Sequence, residues 1–115
     1  MSRPEVLKRD LHTVEEIYSL RGADDVKAFL KKNPFLPALL TEARDYIEHY
    51  FPDQPLFLEV MHDPEAAAGE ELVVFISTEL SPDDAESRIQ EFDARWWLAA
   101  VSRAKGKLCI TLEFQ

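Results

Sequence analysis

Leu56, Phe57, Leu58, Glu59, Val60, Met61 and His62 form the stretch whose reading decides the fold. Before it, apolar residues recur every three or four positions; from Leu56 onward they alternate singly. A period near 3.6 marks an amphipathic helix and a period of two marks a half-buried strand, so the chain passes here from helices to sheet. Leu56, Leu58 and Val60 point to one face of that strand, Phe57, Glu59 and Met61 to the other. Residues 71–78 (Glu71, Leu72, Val73, Val74, Phe75, Ile76, Ser77, Thr78) are rich in β-branched and aromatic side chains and read as a second strand. Leu108, Ile110, Leu112 and Phe114 alternate with Cys109, Thr111 and Glu113 in a last strand over 107–114.

Upstream of Leu56, Leu7, Leu11, Val14, Ile17 and Tyr18 share one helical face, which predicts a helix over 4–21 with Pro4 at its first turn and Gly22 at its stop. Val26, Phe29 and Leu30 predict a second helix over 24–32, with Asp24 and Asp25 early and Lys31 and Lys32 late, as a helix dipole favours. Asn33 and Pro34 read as cap and first position of a third, over 34–51, whose stripe runs from Leu36 to Phe51. Ser81 and Pro82 repeat that opening for a helix over 82–105, which carries Trp96 and Trp97. The expectation is one α+β domain over 1–115: N-terminal helices, then a β-β-α-β unit with a three-stranded, mainly antiparallel sheet and strand 56–62 in its centre.

Composition agrees with one folded core, since 46% of the 115 residues are hydrophobic and only three are glycine. The formal charge of −9 is unevenly spread: residues 53–94 hold twelve carboxylates against Arg88 alone, whereas 95–115 hold four basic residues against Glu113. Nucleic-acid affinity rests on a surface of Lys and Arg, so an acidic chain of this kind argues against a nucleic-acid partner. No run approaches the length of a membrane span, and the residues after Met1 lack the apolar core of a secretion signal, so the expected setting is cytoplasmic, with no membrane partner. Cys109 is the only cysteine, which excludes an internal disulfide.

No residue set forms a catalytic or metal motif, and no cofactor is expected. Cys109 has no histidine near it in sequence, the three glycines make no phosphate loop, and the acidic run Glu79, Asp83, Asp84, Glu86 lacks the spacing of a calcium loop. Glu59, His62, Asp63 and Glu65 are the nearest approach to a metal cluster, but alternation turns Glu59 and His62 to opposite faces. Glu42, Asp45 and His49 share the solvent side of their helix without a second pair of ligands.

The sheet face opposite the helices is the feature to single out. It carries Phe57, Glu59, Met61, Val73, Phe75, Ser77, Cys109, Thr111 and Glu113, too apolar for plain solvent exposure. Either helix 4–21 folds across it or a partner does. Phe57, Met61, Val73 and Phe75 are therefore the candidate interface, together with Trp97 of the long helix, which reads either as a boundary residue at the core's edge or as an interface anchor.

The succession from Pro34 to Leu40, with Tyr50, Phe51, Pro52, then Leu58, Glu59, Val60, Asp63, Pro64, Glu65 and finally Phe92, Asp93, Trp96, Trp97, resembles a group of small uncharacterised bacterial proteins over residues 24–115. That resemblance implies a bacterial origin and a compact α+β fold and brings no activity with it. The leading functional expectation is a non-enzymatic interaction or accessory protein, self-associating as a homodimer or binding another protein. A reading from another class is a small hydrolase or ligand-binding enzyme with Glu59, His62 and Asp93 gathered in a pocket between helices and sheet. A third is an acidic, antitoxin-like partner of a basic protein.

Overall fold

A computed structural model describes the backbone of residues 4–62 and 69–115, and the side chains among these from Leu11 onward. Helix α1 (Pro4–Ile17) leads into a short strand β1 (Ser19–Arg21), then α2 (Ala23–Lys32) and α3 (Leu36–Tyr50). Strands β2 (Leu56–His62) and β3 (Glu70–Thr78) follow, then α4 (Pro82–Phe92), a π turn over Asp93–Trp97, a short α5 (Leu98–Ala100), a 3-10 turn over Val101–Ala104, and β4 (Leu108–Phe114). The expected place of Leu7 on the first helix's apolar face, and of Asp63 and Glu65 beside His62, lies outside the described side chains. Among the described residues no helix is long and apolar enough to cross a membrane.

The α+β class stands, but the sheet has four strands in the order β1-β2-β3-β4 and is mixed: β2 and β3 run antiparallel, while β1 with β2 and β3 with β4 run parallel. Strand 70–78, not 56–62, is thus the inner neighbour of the last strand. Its sequence explains why. Leu72, Val74 and Ile76 are sealed on one face and Val73 and Ser77 on the other, the two-sided burial that suits an inner strand.

The helix expected to reach residue 21 ends at Ile17. The Tyr18 N–H still donates to the Val14 carbonyl at 2.8 Å, but Ser19, Leu20 and Arg21 then pair with Phe57, Leu58 and Glu59. Those three residues satisfy part of an edge that β2 would otherwise leave bare. Gly22 turns the chain into α2 with φ 66°, a left-handed conformation that side chains resist. Asn33 also differs from its expected role as a cap for α3: its N–H and its side-chain amide both donate to the Phe29 carbonyl, so it closes α2 instead.

Ser81 caps α4 as its sequence predicts, its hydroxyl accepting from the Asp84 N–H at 3.3 Å. The helix beyond it is not continuous to Lys105. A π turn holds one extra residue, which narrows the angle between neighbours and lets Trp96 and Trp97 both face inward, 6% and 8% exposed. Trp96 stacks on Tyr46 with ring centroids 4.8 Å apart and tilts against Phe92 at 5.6 Å. The indole of Trp97 packs beside it at 5.7 Å.

The buried aliphatic and aromatic side chains of the described helices join one cluster with Leu56, Leu58, Leu72, Val74, Ile76, Leu108 and Ile110, with Pro37 of α3 buried outside it. Helix α1 contributes Val14 to that cluster and packs on α3, so it does not cross the opposite sheet face. Tyr18 is 2% exposed within it, and its hydroxyl donates to the Leu40 carbonyl at 2.7 Å, tying the α1–β1 corner to α3. Burial keeps that phenol protonated by pushing its pKa well above the usual tyrosine range. Replacing Tyr18→Phe removes one buried hydrogen bond and little volume, so urea unfolding should show a loss of about 1 kcal/mol. An unchanged midpoint would mean that the bond adds nothing to the corner.

Candidate functional site

Register sets the composition of the sheet face turned away from the helices. Phe57 lies opposite Phe75, which lies opposite Thr111; Glu59 lies opposite Val73, which lies opposite Cys109. Period-two alternation brings these side chains to one side. Among them Val73 is 6% exposed and Met61 43%, with Phe57 and Phe75 between.

Arg21 organises this face. From the β1 edge its guanidinium extends over the sheet, 4.2 Å from the Phe57 ring centre and 5.3 Å from that of Phe75. On the far side it meets Glu113 of β4, donating from Nη1 to Oε2 at 2.8 Å and from Nη2 to Oε1 at 2.6 Å. Glu59 stands 3.7 Å away. Two parallel N–H donors fit the two oxygens of a carboxylate, and a guanidinium sheds water readily enough to lie flat on aromatic rings. Together the two side chains span the sheet between its outer strands. The hydrogen bond from Arg21, followed by its charge, holds the Glu113 carboxyl below the usual range, and the same bond raises Arg21.

Beside this clamp lies a shallow hollow of about 460 Å³. Met61, Val73, Phe75, Cys109 and Thr111 line its floor, and His62, Glu70 and Glu71 stand at one end. Burial first, then the charges of Glu71 and Asp93, push the Cys109 thiol up, so it rests in the neutral form that reacts poorly.

The sequence-predicted residues separate into three places. Phe57, Met61, Val73 and Phe75 do share the face, with Glu59 beside Arg21 and His62 at the hollow's end. Trp97 belongs to the core cluster on the helix side. Asp93 lies against Ile110 and Leu112 at the β4 edge, its carboxyl raised by burial and by Glu86. Glu59, His62 and Asp93 therefore do not gather in one pocket, and among the described residues no three of His, Cys, Asp and Glu are placed to hold a metal ion. Arg21 is absent from the sequence-based expectation, which places it at the end of a helix. The available signal was Glu59 and Glu113 on one apolar face, two carboxylates in need of a cation. No family model, curated protein or solved structure matches the chain.

The clamp has a pH signature. A carboxyl whose folded pKa is lowered contributes stability that is complete above the ordinary carboxylate range and fades as pH falls through the lowered value. Glu113→Gln should therefore unfold at lower urea than the parent at pH 7, and the two midpoints should converge as the solution is acidified below about pH 4. A gap that stays constant with pH would show that Glu113 acts through packing alone.

Proposed function

We propose that the chain is a non-enzymatic protein-interaction module that receives a partner, a second copy or another protein, on the open face of its sheet. The observation that supports this is the row of Phe57, Phe75 and Met61, which the helices leave uncovered while they pack on the other face. Contiguous apolar surface ringed by polar groups is the usual mark of a protein interface. Aromatic rings and an arginine held in place by its own ion pair suit such a role, because little side-chain entropy is left to lose on docking. The proposal extends to a cytoplasmic setting in a bacterium, supported by the quoted resemblance and by a single, unreactive cysteine.

A photoreactive side chain at Met61, on this face, is compared with one at Leu98, which is 69% exposed on α5. Irradiation in the producing cells should give a discrete adduct from position 61 that position 98 does not give, and Phe75→Glu should abolish it. Light scattering of the purified chain assigns the occupant: twice the chain mass for a second copy, one chain mass for another protein. Identical adducts from both positions, or none from 61 in a chain that stays monomeric at tens of micromolar, would sink the proposal.

A further inference from the structure

Strand β4 ends the sheet, and among the described residues nothing pairs with its outer edge. The Leu72 N–H donates to the Lys107 carbonyl, and the Gln115 N–H donates to the Thr78 carbonyl. In a parallel pair alternate residues turn both backbone groups toward the neighbour. Cys109, Thr111 and Glu113 therefore face β3, while Leu108, Ile110, Leu112 and Phe114 direct their N–H and C=O groups outward. An edge of this kind is a template for another strand, and folded chains blunt it by shortness, charge or proline. At the other end of the sheet β1 has three residues. Strand β4 has seven, no proline, and one charge, Glu113, which is drawn across the face to Arg21.

A hollow of about 350 Å³ runs along this edge between β4 and α4. Glu86, Ile89 and Asp93 line it from the helix side, Leu112 and Phe114 from the strand, and Phe114 is 50% exposed. Glu86 and Asp93 are seven positions apart, a rise of about 10 Å along a helix. Residues p and p+4 of an extended strand are about 13 Å apart on one face. A strand laid beside β4 with basic, apolar and basic side chains at alternate positions would thus set cations near Glu86 and Asp93 and an apolar group against Ile89 and Leu112.

Charge selects the occupant. Two copies pairing β4 with β4 about Thr111 would turn this hollow toward its own image, opposing Glu86 and Asp93 with their counterparts, and among the described residues no basic side chain lines it. Like charges set opposite one another across strands destabilise a pair. A cationic segment instead neutralises them. We infer that β4 accepts an extended segment of a partner protein as a fifth strand, with basic and apolar side chains alternating on the side that meets α4. This is strand addition, in which backbone bonds give affinity and the groove gives specificity. It does not depend on what occupies the open sheet face.

The probe is a short labelled peptide with the core Lys-Thr-Val-Thr-Lys, titrated against the full chain by fluorescence anisotropy. Its comparators are a Glu-Thr-Val-Thr-Glu version and a backbone N-methylated version of the lysine peptide. The lysine peptide should bind saturably, and both comparators should bind at least about tenfold more weakly. Glu86→Lys, an exposed change, and Asp93→Lys should each weaken it by a similar factor with the circular dichroism unchanged. Amide exchange should slow at Ile110 and Leu112 on binding. Equal binding of the N-methylated peptide would reduce the effect to charge attraction and overturn the inference. So would the absence of saturable binding at millimolar peptide, or a dimer that Leu112→Pro dissolves.

Discussion

Strand β3 is bound along both edges and packed on both faces, and the remaining elements take their positions from it. Its antiparallel bonds to β2 and parallel bonds to β4 account for most of the sheet's ladder, and Leu72, Val74 and Ile76 sit at the centre of the helix-side core. A buried backbone must find a hydrogen-bond partner for almost every polar group. Placing β3 inside satisfies that demand on both sides at once. The return from β3 to β4 then has to cross over the sheet, and α4 makes that crossing on the side where α3 already lies. One apolar layer results, and among the described residues the second sheet face is left to side chains of the sheet itself.

Much of this was legible where hydrophobic period was long and unmixed. The change of period at Leu56 located the sheet, and alternation placed Phe57, Met61, Val73 and Phe75 together before any contact was known. The errors fall where period is silent. Ser19, Leu20 and Arg21 are too few to show alternation, so they were absorbed into the preceding helix. The expectation of strand 56–62 in the centre overlooks the near-continuous apolar run from Leu72 to Ile76, which suits a strand covered on both sides. On a regular helix Trp97 would flank the apolar face, as a boundary residue or an interface anchor; the π turn aims it into the core. The Arg21–Glu113 pair joins residues 92 positions apart, and no local pattern encodes that distance.

The clamp changes what an open sheet face means for this chain. Unprotected, Phe57 and Phe75 would present two rings to water. Arg21 lies over both and is itself held by Glu113, so the face is partly roofed by a charged group that is still about one-third exposed. A guanidinium in that position is weakly hydrated, and exposed ion pairs contribute little to stability. The arrangement therefore orders the two rings and covers part of them, while adding only modestly to folding energy.

The uneven charge of the sequence becomes uneven in space. Of the twelve carboxylates between residues 53 and 94, Glu59, Glu70 and Glu71 stand on or beside the open face, and Glu86 and Asp93 flank the β4 edge. Arg88, the one basic residue of that segment, donates to the Tyr50 carbonyl at the end of α3 and so turns away from this wall. Two cations of the positive C-terminal segment are engaged elsewhere: Arg103 pairs with Glu42 at 2.6 Å, and Lys105 sits 4.6 Å above the Phe35 ring. Acidic groups thus gather at the β4 edge and at the His62 end of the open face, whereas beside Phe57 the Arg21 guanidinium offsets Glu59 and Glu113. At physiological ionic strength the reach of such charges is only about 8 Å, so their effect is confined to groups already close by. Under the interaction reading proposed above, that acidity would act as selectivity, disfavouring acidic neighbours at an apolar face and an unpaired edge.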